Sequence, residues 1–160
     1  MPVALSQNPQ LSKEIQMSVP QISVFLESRP GHLHRVLDAF EAAHVNVRGF
    51  SASDTGDYGI VRFIVDDPDK ALDVLNGMGS ASVKSDVLCL RLVDRPGELA
   101  RVMGILADRG LNVSYTYSLI STFIAASVED IAHAEEILKY EPVELAGLEE
   151  IAASLAAGQH

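Results

Sequence analysis

Cysteine occurs once in the 160-residue chain, at Cys89. No disulfide can close within the chain, and no thiolate metal site can be built. Basic residues are also scarce: 12 Lys and Arg stand against 22 Asp and Glu, a formal net charge of −10. That deficit disfavours nucleic acid and anionic membrane surfaces, which need clustered Lys and Arg. No stretch of ~18 apolar residues is present, so no membrane-spanning helix is expected. Met1 to Val19 lacks the basic start and apolar run of a secretory leader, which makes a cytoplasmic location the expectation. Histidine and cysteine do not recur at metal-ligand or nucleophile spacings, and there is no phosphate loop, so neither a metal, a cofactor nor an enzyme is expected.

What the chain does have, it has twice. Arg29-Pro30-Gly31-His32-Leu33-His34-Arg35-Val36 is echoed 66 residues later by Arg95-Pro96-Gly97-Glu98-Leu99-Ala100-Arg101-Val102, with six of the eight positions identical. At the same offset Val45-Asn46-Val47 becomes Leu111-Asn112-Val113. A repeat of this kind marks duplicated modules. Each module has a thin core, so the two should pack together.

Hydrophobic periodicity supplies the elements. Ile22, Val24 and Leu26 alternate with polar neighbours, a strand pattern. Pro30 suits a helix's first turn, and Leu33, Val36, Leu37 and Phe40 form one helical stripe fading near His44. Val45 to Ala52 reads as a second strand, Asp54-Thr55-Gly56-Asp57 as a turn and Tyr58 to Val65 as a third strand. Asp66-Asp67-Pro68 opens a second helix with the stripe Ala71, Val74, Leu75 and Met78. A fourth strand falls within Ser80 to Ser85. Leu88, Leu90 and Leu92 begin the same order again. The second hairpin is three residues shorter, since Val128-Glu129-Asp130 matches Val65-Asp66-Asp67 at an offset of 63. Pro142 to Leu145 is a short last strand, and Leu148, Ile151 and Leu155 suggest a closing helix. Each unit is therefore βαββαβ, and the chain is predicted to be α+β: two tandem ferredoxin-like modules whose antiparallel sheets carry helices on one face. The expected divisions are an arm over 1–18, with a short strand near Ile15–Met17, modules over 19–86 and 87–145, and a C-terminal helix and tail over 146–160. Ser23, Phe25, Cys89 and Arg91 point to the sheet face without helices, which must be solvated or covered.

The strand ending in x-R-P-G, the L-x-x-V helix after it and the strand opening with Asn46 or Asn112 resemble the ACT domain. The arrangement is similar to small stand-alone proteins made of two ACT domains, in which Asp54-Thr55-x-Asp57-Tyr58-Gly59 has close counterparts. The resemblance implies amino-acid binding between modules in a regulatory protein that signals to a metabolic enzyme or regulator; exposed sheet faces or strand edges that need covering favour a homodimer. The first-loop residues Ser28, Pro30, Gly31 and His32 and the second-loop residues Asp94, Pro96, Gly97 and Glu98 are then ligand-binding candidates. Glycine admits a ligand close to the backbone, and the bare amides of a helix start favour a carboxylate. Asn46, Asn112, Asp54 or Asp94 can offer an ammonium group an acceptor, and Thr55 lies beside Asp54. Glu98 would discourage an acidic ligand unless it meets the amino group, so the first module is expected to hold the better site.

Plainer readings accompany these. Pro-Gly after a strand is also just a good helix start, and Asn46 and Asn112 can equally satisfy nearby backbone groups. His32 and His34 lie two apart at a helix start and point to different sides, against a metal site. Cys89 reads as an inert small residue. RNA binding is the alternative from another class, because Tyr58-Gly59-Ile60-Val61-Arg62-Phe63 resembles part of an RNA-recognition strand. That match lacks the basic residue before the aromatic, and Ile60 replaces a stacking ring. An enzyme with an active site at an oligomer interface is the other.

Overall fold

The structure is a computed structural model and describes residues 17–153. The expected strand near Ile15–Met17 therefore lies, apart from Met17, outside the described residues, as does Leu155. In chain order the elements are β1 (Ser18–Glu27), α1 (His32–Ala42), β2 (Val47–Asp54), β3 (Tyr58–Val65), α2 (Pro68–Gly77), β4 (Ala81–Arg91), α3 (Glu98–Asp108), β5 (Val113–Ser118), β6 (Phe123–Val128), α4 (Ile131–Leu138), β7 (Glu144–Leu145) and α5 (Leu148–Ala153). This is the α+β, tandem βαββαβ order that the hydrophobic pattern predicts. The local reasons are visible at each end. Asp67 caps α2 by accepting the Lys70 N–H, with Pro68 next in line, and Asp130 caps α4 by accepting the His133 N–H. His44, at φ 57, takes the left-handed conformation just beyond α1.

All strands belong to one antiparallel sheet, ordered β2-β3-β1-β4-β6-β5, with β7 also on β4. The expected fourth strand of the first module and first strand of the second are one continuous strand. Residues 81–88 of β4 pair with β1, and residues 88–91 pair with β6. Pairing on both sides lets a single 11-residue strand serve both modules, where periodicity alone suggests two strands.

The shared strand also sets which way the helices face. On β4 the even-numbered residues point to the helix side throughout: Lys84 reaches Asp69 of α2, while Leu88 and Leu90 sit in the cores under α3 and α4. In the first module Ile22, Val24, Val61 and Phe63 meet Val36, Phe40, Ala71 and Leu75. There Phe40 and Phe63 pack edge to face with centroids 5.2 Å apart.

The opposite face is covered by the protein itself. The sheet curls until β2 and the end of β5 meet, where Gly49 bridges Leu119 and the Ile120 N–H donates to the Arg48 carbonyl at 2.9 Å. Val19 and Ile64 of the first module and Val87 and Cys89 of the shared β4 then pack on Leu119, Phe123 and Ala125, with Ile151 of α5 against them. A Cβ on Gly49 would lie 2.2 Å from the end of the Leu119 side chain and 3.2 Å from its Cα, so a larger residue there would force Leu119 to shift. Within the seam, Gln21 is fully buried. Its amide nitrogen donates to the Tyr115 hydroxyl at 2.7 Å and to Ser85 Oγ at 3.3 Å, and its oxygen accepts from the Tyr117 hydroxyl at 2.7 Å. Burying a polar amide is tolerable only with such partners. Cys89 is wholly enclosed in the same face, and burial pushes its thiol up to about 12. Phe25, by contrast, stays 43% exposed where the curl opens.

Candidate functional site

Each module places a glycine between its first strand and first helix. Gly31 has φ 87 and ψ −11, and Gly97 has φ 87 and ψ −8. A side chain in this left-handed conformation is strained, which is why the same residue recurs. A Cβ at either glycine would meet nothing within 4 Å, so the requirement is conformational and the space beside both turns is open. The backbone bonds match as well: Arg29 N–H donates to the Glu27 carbonyl and Arg95 N–H to the Val93 carbonyl, both at 2.8 Å. No side chain caps α1 or α3; the first amide of each donates to its own turn, His32 N–H to the Arg29 carbonyl and Glu98 N–H to the Arg95 carbonyl, and the amides that follow have no side-chain cap.

The first turn borders a cavity of about 310 Å³, lined by Leu26, Ser28, Arg29, Pro30, His32 and Leu33 with Ser53, Asp54, Gly59 and Val61 of the hairpin. Its floor is aliphatic and its rim polar. The Ser28 hydroxyl donates to Asp54 Oδ2, and the Gly56 N–H donates to Oδ1, both at 2.7 Å. These two bonds, Ser28 first, hold the Asp54 carboxyl below its usual range and keep it an anion facing the cavity. Ser28, Pro30, His32 and Asp54 are thus brought together around one space. Thr55 is adjacent but turned to the hairpin, its hydroxyl donating to the Tyr58 carbonyl at 2.8 Å.

The second turn has a different content. Asp94 and Glu98 line a cavity of about 360 Å³ with Leu92, Val93, Arg95, Leu99, Ser121 and Thr122, with Pro96 and Gly97 at the turn itself. Glu98 is only 3% exposed. Arg101 binds its carboxylate through two nitrogens, at 2.8 and 2.9 Å, and Arg95 adds a third contact at 3.2 Å. The Arg101 bond is the largest cause holding the Glu98 carboxyl at about 2, against its ordinary 4.5. Arg101 also donates to the Pro142 carbonyl at 2.6 Å. The carboxylate that the sequence placed beside a second pocket is therefore spent inside the protein, folded back over its own turn.

The two asparagines stand apart from the turns. Asn46 N–H donates to Asp66 Oδ1 at 2.8 Å, and the Asn46 carbonyl accepts the Asp66 N–H at 3.0 Å, at the end of β2 away from Asp54. Both bonds run through the Asn46 main chain. Asn112 lines a larger cleft of about 910 Å³ with Ser85, Tyr115, Asp130 and His133, away from Gly97. The arginines around Glu98 were not among the candidate residues. Their signal was present, since Arg29 and Arg95, and Arg35 and Arg101, are identical partners in the repeat. Among the described residues no group of three or more His, Cys, Asp or Glu side chains is placed to hold a metal ion, and no helix is long and apolar enough to cross a membrane.

Tandem ferredoxin-like modules sharing one sheet, each with a glycine turn opening its first helix, are the architecture of a regulatory module class. The family model described as an ACT domain pair matches residues 17–139, and the chain belongs to that family. Membership places it, at that level of detail, among regulatory amino-acid-sensing proteins. No curated protein matches the chain. Among solved structures, a protein from Bacteroides thetaiotaomicron is 29% identical with a TM-score of 0.80, covering 86% of this chain and 97% of that one. The regulatory subunit of aspartate kinase from Thermus thermophilus is 17% identical with a TM-score of 0.60, covering 78% and 90%. Its counterpart from Thermus flavus is 16% identical with a TM-score of 0.56 over the same shares, 78% and 90%. At those identities the two Thermus likenesses bear on the fold alone.

Proposed function

We propose that this chain is a non-catalytic, cytoplasmic regulatory protein that binds a free amino acid beside its first glycine turn. Occupancy then changes how it meets a second copy of itself, as a homodimer, or a metabolic enzyme or regulator. The observation that carries this reading is the open cavity of about 310 Å³ where Ser28, Pro30, His32 and Asp54 converge. A zwitterion fits its chemistry. The ammonium group meets the Asp54 carboxylate, the carboxylate faces the start of α1, and an apolar side chain lies on Leu26, Leu33 and Val61. A signal requires that the ligand bind one arrangement of modules or subunits better than another. The seam at Gly49 and Gln21 and the exposed surface beside the cavity are where such arrangements differ.

A thermal-shift screen of the twenty standard amino acids tests this. A ligand at 100 times its dissociation constant stabilises by about 2.7 kcal/mol, a readily measured shift. If none of the twenty moves the melting temperature, the reading fails.

A further inference from the structure

The duplicated turn contains, in its second copy, a worked example of what its first copy is built to hold. In the second module the carboxylate of Glu98 is clasped by Arg95 and Arg101. Both arginines are present in the first module as Arg29 and Arg35, but the position of Glu98 is taken by His32. The two arginine positions are therefore kept in the first module while the internal carboxylate is not. Arg29 turns instead to Glu27, with both side chains more than half exposed, and Arg35 makes no ion pair among the described residues.

Two neighbouring cavities share lining residues around His32, the position that Glu98 holds in the second module. Arg29 lines the cavity of about 310 Å³ already described. Arg35 lines a neighbouring one of about 370 Å³ with Met78, Gly79 and Ser80. Leu26, Glu27 and His32 border both. Gly79 is the repeat counterpart of Pro142, whose carbonyl receives Arg101, so Arg35 keeps the same neighbourhood as its partner. Near-identical turn dihedrals and equal Arg-to-carbonyl backbone bonds carry one geometry into both modules.

We propose that Arg29 and Arg35 are the carboxylate-binding residues of the first module, and that a ligand carboxylate takes there the place that the Glu98 side chain takes in the second. This rests on the amino-acid reading above and names the groups that recognise the acid end. Planar guanidinium forks suit a carboxylate better than backbone amides alone, since they bind it through two parallel bonds. Glu27 releases Arg29 when the ligand arrives, an exchange between exposed partners that costs little. The second module, carrying its own carboxylate, takes no ligand, so each chain binds one.

The test has two arms. In the first, His32→Glu is made in the full chain and its melting followed from pH 7 to pH 2 without ligand. The inference expects the clasp to rebuild on Arg29 and Arg35: a higher melting temperature at neutral pH, and an added loss of stability as pH falls below 4.5 that disappears in the double variant with Arg35→Gln. No such acid-sensitive gain would overturn it, whatever the natural ligand. In the second arm, calorimetry uses whichever standard amino acid shifts melting, together with its α-carboxamide. Arg35→Gln should weaken binding about 10- to 100-fold, as expected for losing a charge-assisted pair. Arg35→Lys should recover only part, and the carboxamide should bind as weakly to wild type. Unchanged affinity in Arg35→Gln would overturn the inference while leaving the amino-acid reading intact. If no amino acid binds wild type, that reading falls and with it the ligand assignment.

Discussion

The two glycine turns share a backbone and differ in what fills them. Gly31 and Gly97 agree in φ at 87°, and their flanking strands and helices repeat one pattern. Yet the cavity beside one turn is lined by Ser28, His32 and Asp54, and the cavity beside the other by Glu98, whose carboxylate is already held by two arginines. One residue, His32 against Glu98, accounts for most of the difference. The hairpins widen it: Asp54 and the Gly56 turn face the first cavity, while the shorter second hairpin presents Ser121 and Thr122. Duplication preserves a scaffold cheaply, because the backbone needs only glycine and proline at fixed places. What stands beside the turn is then set by a single side chain.

Both turns hang on one cooperative unit, and the largest expected effect tests that. Gly49→Val drives two methyl groups into Leu119 across the seam, and overpacking of this sort costs about 3 kcal/mol. The expected result is one calorimetric transition at lower temperature. Two separate transitions in wild type would mean the modules melt independently. Next come the turns themselves. Gly31→Val and Gly97→Val should each cost about 1–3 kcal/mol for a left-handed side chain, with equal losses in denaturant titrations. A clear inequality would break the claim that the backbones are equivalent.

A smaller effect separates the contents. Folding lowers the Glu98 carboxyl from 4.5 to about 2, so its stabilisation is fully present above pH 4.5 and is lost as pH falls from there through about 2. Glu98→Gln should flatten that acid limb of the melting curve, whereas His32→Gln should leave it as in wild type. Equal acid limbs in wild type and Glu98→Gln would show that the clasp does not form. The smallest expected change is for Asp54→Asn. The side chain is at the surface, so melting should scarcely move, but amino-acid binding should weaken about tenfold if the ammonium group uses this carboxylate. Undiminished affinity by calorimetry would send the ammonium elsewhere.

Much of this was legible before folding is considered. Tyr58 to Val65 is a strand because its apolar residues alternate, and α1 and α3 start where Pro and Gly follow a strand. The twin turns are visible as text. The site was legible only in part. Ser28, His32 and Asp54 do converge, but Asn46 serves Asp66 and Asn112 lines a different cleft, because a residue at one end of a strand cannot attend a turn at the other. Glu98 was noticed as a charge, while its two partners were not, since composition does not say which way a guanidinium folds.

By itself, then, the sequence determined the order of elements, their inward faces and the two positive-φ turns. Each of those depends on neighbours a few residues away, through sterics and periodicity. Tertiary structure alone decided that β4 belongs to both modules, that the sheet closes at Gly49, and that a buried carboxylate meets two arginines at the second turn only. These depend on groups far apart in the chain meeting in space, as Gln21 and Tyr117 do across 96 residues, and on whether a desolvated charge finds its partner there.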